Sequence, residues 1–330
     1  MRFNVIIGNP PYQEGNQSIY QRFIDKSIKL NPTHIILITK DNWMIGKTLK
    51  STRDGMLKFG INSITYYPIP GEIFNNIHGG ITITHLNKQS KITTYKEIHN
   101  GEVITQKQSE LKENGLILTS EIGNIVEKIQ SNQEFEPYDL AKNARIFSIA
   151  SNGYVMHSTY TEDRIKYSEK QTEEYNIAVV FMDTSHNSYR KYIRYEDIPK
   201  GKSEVYKYKV ICGSKAQLNN TVLYQMQILN PGEIMTNSWG IVGLADTVEE
   251  ATAIYKYSCT KFFRALTRAG ISGDRVTFGI GCTCHIPLQK FDNSSDIDWT
   301  KSITKINQQL YQKYNLSKEE IDYIENLIIQ

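Results

Sequence analysis

No stretch of this 330-residue chain approaches the roughly 18–20 consecutive apolar residues that a membrane-crossing helix needs. No positively charged leader precedes an apolar segment, so no export signal is expected. Cysteine is scarce: the four residues are Cys212, Cys259, Cys282 and Cys284, without paired CxxC spacing. That excludes a small disulfide scaffold and fits a reducing cytoplasm. Net charge is only +3, too small to imply a polyanionic partner by itself. Internal repeats and low-complexity linkers are also absent. What is present is an ordinary globular composition, 39% hydrophobic and 22% charged, which argues against wholesale disorder. A length of 330 residues accommodates two domains with cores of their own. The 21 tyrosines against 11 phenylalanines supply stacking faces with polar tips, suited to wet contact surfaces or to nothing more than coding bias.

The first ninety residues alternate between strand and helix patterns. Phe3–Gly8 is short, apolar and β-branched, like a strand buried on both faces. Ser18–Leu30 carries Ile19, Phe23, Ile24 and Ile28 at helical spacing, and Pro32 follows its end. His34–Thr39 reads as a second buried strand and Gly46–Lys58 as a basic amphipathic helix stopped near Gly60. Ile61–Tyr67 is a third strand and Gly80–Leu86 a fourth. Strand–helix–strand–helix–strand predicts a parallel α/β sheet. Beyond Lys88 the pattern shifts to short β-like segments such as Ile177–Phe181 and Val205–Ile211, with a helix-rich interruption at Glu110–Asn132. Thr247–Ala269 is helical again, and the tail reads as helices at Thr300–Tyr314 and Lys318–Ile329. Ser317 and Glu320 have capping-box spacing for the last.

Asn9-Pro10-Pro11-Tyr12 directly follows the first strand. In an open α/β sheet the carboxyl end of a parallel strand is where ligands bind. Two prolines stiffen the loop and remove two N–H donors. The loop therefore presents acceptors, the Asn9 side-chain oxygen and the Pro10 carbonyl, and two acceptors suit an exocyclic amino group with two hydrogens. Tyr12 adds a flat face on which a base can stack. An adenine N6 lone pair is delocalised into the ring; holding both hydrogens would localise it for attack on a methyl group. The base must first leave the duplex. The alternative is a proline-stiffened turn with no chemistry.

Residues 3–12 resemble motif IV of the N6-adenine DNA methyltransferases, and the segments that follow resemble the Eco57I-like restriction-modification methylases. Tyr20-Gln21-Arg22-Phe23-Ile24 is similar to that family's next helix. Trp43-Met44-Ile45-Gly46-Lys47 with Leu49, Lys50 and Arg53 is similar to its tryptophan–glycine–lysine segment. Ile73-Phe74 with His78-Gly79-Gly80-Ile81 is similar to its phenylalanine–Gly-Gly strand. Lys261-Phe262-Phe263-Arg264, Ile286-Pro287-Leu288-Gln289 and Asp296-Ile297-Asp298-Trp299 resemble segments near its C-terminus. The resemblance implies an α/β fold: a partial Rossmann-like methyltransferase half-sheet over residues 1–90, an α+β target-recognition domain over 91–299 and a helical tail over 300–330. It implies site-specific adenine-N6 methylation of double-stranded DNA in a restriction-modification system. Asn9, Pro10, Pro11 and Tyr12 would be catalytic and S-adenosylmethionine the cofactor. The alternative within the family is an inactive DNA-binding or assembly module.

The family places its cofactor motifs before motif IV, yet only eight residues precede Asn9 here. Phe278-Gly279-Ile280-Gly281 fits the glycine loop superficially, but without a clean strand before it. The expectation is that a second polypeptide or second copy covers the Phe3–Gly8 edge and supplies the cofactor half. Two basic groups are candidate DNA contacts. Lys47, Lys50 and Arg53 lie on the predicted helix after Trp43 and face either phosphates or solvent. Arg190, Lys191, Arg194, Lys207 and Lys209 lie within Ser188–Lys215, interleaved with Tyr189, Tyr192, Tyr195, Tyr206 and Tyr208. They make either a phosphate-binding surface or a solvated edge hairpin. Cys282, Cys284 and His285 read as a buried strand before a metal fragment, so no metal is expected.

Overall fold

The computed structural model describes residues 3–14, 17–45, 49–68, 73–74, 80–99, 101–111, 120–141, 147, 165–183, 185–213, 215–217, 225–270, 275–277 and 283–327. These form two compact units, Met1–Glu127 with Ala269–Arg275 and Lys128–Arg268 with Val276–Gln330.

The first unit is built on strands β1 (Val5–Gly8), β4 (His34–Lys40), β5 (Ile61–Tyr67), β6 (Ile81–Asn87), β7 (Thr93–His99) and β8 (Glu102–Ser109), with a two-stranded β2 (Gln13–Glu14) and β3 (Gln17–Ser18) after β1. Their sheet order is β1-β4-β6-β5-β7-β8. β1 runs parallel to β4, and β5 parallel to β7. Helices α1 (Tyr20–Lys29) and α2 (Lys50–Phe59) pack on each other, and α1 packs on β4. Their apolar faces meet alternate residues of the strands, so Tyr20, Ile24, Ile35, Leu37, Trp43, Met56 and Ile64 share one core. α1 ends where Asn31 turns left-handed at φ 56°, a conformation asparagine tolerates, and Pro32 cannot continue the helix. α2 ends at Gly60, whose φ is 105°.

The three strands expected to be parallel, β1, β4 and β5, run the same way; the fourth, for which the sequence set no direction, does not. β6 enters antiparallel between β4 and β5. Residues 68–80 link β5 to β6, and β6 returns antiparallel to both of its neighbours. β1 also differs from a strand buried on both faces. It lies at the sheet edge, with Val5 48% and Ile7 73% exposed. The boundary expected at residue 90 falls inside this sheet, because β7 and β8 continue it to Ser109. The residues after 300 likewise share the second unit with 128–268 and form no separate tail.

In the second unit, β9 (Ile177–Met182), β10 (Ser188–Ile193) and β14 (Glu233–Met235) form one three-stranded sheet, ordered β10-β9-β14. β11 (Tyr208–Gly213), β13 (Gln227–Leu229) and β15 (Trp239–Ala245) form another, ordered β13-β11-β15. Helix α3 (Ser120–Gln130) and strand β16 (Arg275–Thr277) each run across a division between the units, and the short strand β12 (Lys215–Gln217) follows β11. Val179, Phe181, Ile211, Leu229 and Trp239 belong to one core drawn from both sheets. Val205, expected to open a strand, instead ends a 3-10 turn. The stretch expected as one helix is two, α4 (Val248–Cys259) and α5 (Lys261–Ala269). Thr260 separates them: its hydroxyl donates to the Tyr257 carbonyl at 2.6 Å and accepts from the Phe263 N–H at 3.1 Å, closing one helix and capping the next. The last helices are α6 (Ile303–Lys313) and α7 (Lys318–Leu327). The capping box of α7 forms as spaced: Ser317 N–H donates to Glu320 at 2.7 Å, and Glu320 N–H to the Ser317 hydroxyl at 3.3 Å.

One side chain in this unit runs against its sequence pattern. Lys209 was expected as a surface cation and is fully buried on β11. Its ammonium donates to the carbonyls of Val205 at 2.8 Å and Lys207 at 2.6 Å and lies 6.0 Å over the Phe147 ring. Burial pushes its pKa down to about 8, against an upward pull from Glu233 and Glu204. Between this value and the ordinary 10.5 the unfolded chain binds the proton more tightly than the folded one. Stability therefore carries the full burial cost below pH 8 and gains as pH rises through this window. Urea midpoints of the second unit, followed by Trp239 fluorescence, should rise from pH 8 toward 10.5 relative to Lys209→Met, which lacks the titration.

Candidate active site

The Asn9–Tyr12 loop leaves β1 beside the end of β4. Gly8 is level with Leu37, so the loop runs alongside the last residues of β4. Lys40 at the end of β4 and Tyr67 at the end of β5 both pair with Ile81 at the start of β6. The carboxyl ends of β1, β4 and β5 thus gather at one edge of the sheet. There Asn9 and Pro11 are exposed, Pro10 is buried and Tyr12 is half-buried against the unit core. The Tyr12 carbonyl accepts the Ile19 N–H at 3.2 Å, and β2 pairs antiparallel with β3 between them. This hairpin carries the chain from the loop into α1. The Tyr12 hydroxyl is buried with no partner among the described residues, and burial raises its pKa.

Beneath the loop, β4 ends in a 3-10 turn, Asp41–Trp43, in which every residue is tied down. Asp41 is 4% exposed; its carboxylate accepts the Tyr66 hydroxyl at 3.2 Å and its N–H donates to the Gly80 carbonyl at 3.1 Å. Asn42 accepts the hydroxyl of the fully buried Tyr20. Trp43 donates its indole N–H to Thr82 at 3.0 Å, and its carbonyl accepts from Arg53 at 3.0 Å. Gly80 makes room for this cluster, since a Cβ there would lie 2.5 Å from the Asp41 carboxylate and 2.7 Å from the Tyr66 ring. Sequence reasoning passed over Asp41. The available signal was an acidic residue directly after a buried strand, at the edge where sites form.

The predicted DNA-contacting cations are arranged differently from expectation. Arg53 is 2% exposed and serves the Trp43 carbonyl, so it lies on neither a solvated nor a phosphate-facing surface. Lys50 is exposed and pairs with Asp54 at 2.5 Å, while Lys47 lies outside the described residues. Arg190 pairs with Glu233 at 2.8 Å, Lys191 with Glu169 at 2.8 Å and Lys207 with Asp246 at 3.7 Å. Arg194 grips Asp197 through two bonds of 2.7 and 2.8 Å. Such surface pairs contribute little to stability. Arg190 and Lys191 lie on β10 of the β9–β10 hairpin, whereas Lys207 precedes β11 of the other sheet and Lys209 is buried on it. Neutralising Arg190, Lys191 and Arg194 would remove the pairs with Glu233, Glu169, Glu174, Glu196 and Asp197.

Thr283, Cys284 and His285 lie in a helical turn, where a strand was expected. His285 is buried, meets Gln130 at 3.3 Å and has its pKa pushed down to about 4 by burial. Among the described residues no group of three or more His, Cys, Asp or Glu could hold a metal ion. Cys282, His78, Gly79 and Phe278–Gly281 lie outside the described residues. No described helix is long and apolar enough to cross a membrane.

Comparison with known proteins bears on the first unit most directly. Residues 1–74 match the family model of the Eco57I restriction-modification methylases. A segment of 54 residues, 14% of this chain and 13% of the relative, is 43% identical to an uncharacterised adenine-specific methylase of Mycoplasma pneumoniae. Among solved structures, the Type IIL restriction-modification enzyme MmeI, determined in complex with DNA, aligns over 98% of this chain and 56% of its own. That alignment has a TM-score of 0.52 at 10% identity, and it shows a shared fold. The chain thus spans about half the length of that enzyme and matches the curated relative over a small part. The segment that contains the Asn9–Tyr12 loop is thus the part of the chain that is similar to the Eco57I restriction-modification methylases.

Proposed function

We propose that this chain holds an adenine flipped out of double-stranded DNA for methylation at N6 in a restriction-modification system. The observation that carries the reading is the Asn9–Tyr12 loop: stiff, hinged on the Tyr12–Ile19 hydrogen bond and set at the carboxyl edge of the sheet. The Asn9 side-chain oxygen and Pro10 carbonyl take the two amino hydrogens, which turns the N6 lone pair out of conjugation. Tyr12 supports the base face. Positioning and desolvation are then this chain's share of catalysis.

A methylase of this family needs a methyl donor such as S-adenosylmethionine. The described residues do not fit that group: none near the loop combines a glycine-rich turn with acidic strand ends. They do present an open strand edge beside the loop, where Phe3, Val5 and Ile7 expose 41%, 48% and 73% of their surface on one face. A further strand paired to β1, with a helix over these side chains, would bring the donor-binding residues next to Asn9. That segment belongs to another part of the same polypeptide or to a second one.

Calorimetry tests the division of labour. The chain of this sequence should show no micromolar binding of S-adenosylmethionine, and adding the polypeptide that completes the sheet should restore both binding and methyl transfer. Micromolar binding by the chain itself would overturn the assignment of the donor to another segment. DNA binding without methyl transfer in the completed assembly would favour a non-catalytic recognition module.

A further inference from the structure

We infer that Asp41 is a positioning residue for the Asn9–Tyr12 loop, acting through Asn42 and Tyr20; this rests on the base-holding function proposed above. A carboxylate removed from water is costly unless its oxygens are hydrogen-bonded, and an apolar side chain of similar size would fill the same space at lower cost. Asp41 is 4% exposed nonetheless, and the surroundings are fitted to it. Tyr66 donates to its carboxylate from the end of β5, and the Gly80 carbonyl receives its N–H from the start of β6. Any side chain at residue 80 would collide with the carboxylate, at 2.5 Å for a Cβ.

The result is a rigid corner at the junction of three strands, and the corner is connected to the loop. Asn42, the next residue, accepts the hydroxyl of Tyr20. Tyr20 opens α1 and is itself fully buried, so it cannot follow a displaced Asn42 without disturbing the core. The preceding Ile19 N–H holds the Tyr12 carbonyl at 3.2 Å. The path from Asp41 to the base-stacking ring therefore runs through one peptide link to Asn42, a hydrogen bond to Tyr20, one peptide link to Ile19 and a hydrogen bond to Tyr12. Trp43 is anchored separately by Thr82 and Arg53, which prevents the turn from rotating about its far end. The Asp41 charge also contributes, with burial, to raising the proton affinity of the Tyr20 hydroxyl, keeping it a donor to Asn42.

The test separates geometry from stability. Two labelled single-stranded oligonucleotides are used, one with a central adenine and one with a central purine that lacks the 6-amino group. Their affinity ratio reads the amino-group acceptors alone. The intact chain should prefer adenine about tenfold, the worth of one to two net hydrogen bonds. Asp41→Asn and Tyr66→Phe should each reduce the ratio to about twofold or less, with purine affinity nearly unchanged and Tm within roughly 5 °C. An unchanged ratio in both variants would overturn the inference, as would a parallel fall of both affinities with Tm. If Asp41→Asn does not fold, Tyr66→Phe, which removes a single hydroxyl, decides the matter. Asn9→Ala serves as the reference: equal ratios for it and the intact chain would mean that the base-holding function itself fails, whatever the Asp41 variants do.

Discussion

Asn9→Ala is expected to lower methyl transfer by about 10²–10³-fold in the completed methylase, the range seen when one preorganised hydrogen-bonding group is removed from a reacting centre. Asn9 is exposed at the loop tip and Pro10 beneath it is buried, so truncating the side chain leaves the loop in place. The loss should therefore fall on the chemical step. Substrate binding depends mainly on phosphate and stacking contacts and should change much less. Single-turnover rates at saturating DNA measure it directly. A rate within threefold of the parent, or about 0.7 kcal/mol, would remove Asn9 from the reaction.

Gly60→Ala is expected to be the most damaging single-methyl change in the first unit. Gly60 ends α2 and leads into β5 with φ 105°, a conformation that costs an L side chain about 1–3 kcal/mol. The added Cβ would also lie 2.5 Å from the Asn87 carbonyl oxygen and 3.2 Å from that of Ser90. Both are backbone atoms and cannot swing aside. The Gly60 carbonyl accepts the Asn87 N–H at 2.9 Å, so relieving the clash breaks a bond that fixes the end of β6. A total of about 3 kcal/mol or more corresponds to a fall in Tm of roughly 10 °C for a unit of this size. Calorimetric scanning that finds the variant within 2 °C of the parent would contradict the geometry at Gly60.

The elements of the first unit were readable because each carried a local rule. A continuous apolar run marked β4, a helical period marked α1, and Gly60 and Pro32 marked helix ends. The direction of β6 carried no such rule. Ile81–Asn87 has the same pattern whichever way it pairs, so its antiparallel place between β4 and β5 is seen only in the structure. The Asn9–Tyr12 segment was legible as a stiff turn, since two consecutive prolines fix its backbone, and the structure sets it after β1 beside β4. Charges were the least legible. Arg190, Lys191, Arg194 and Lys207 look alike in sequence to phosphate contacts, and their carboxylate partners Glu233, Glu169 and Asp246 lie up to 43 residues away. Lys209 differs from its neighbour Lys207 only by its place on β11, and that alone decides which one is buried.

The wedging of β6 between β4 and β5 orders events in time. During synthesis β1, α1 and β4 are made early, but the second edge of β4 stays unpaired until Asn87 has left the ribosome, a few seconds later at ordinary elongation rates. Asp41 waits equally long for Gly80, and the loop held through it cannot take its final shape sooner. In that interval Ile36 and Ile38 lie on a bare strand edge, the kind of surface that pairs promiscuously with other chains. The Asn9–Tyr12 loop is therefore translated before the strand that closes the corner through which it is held.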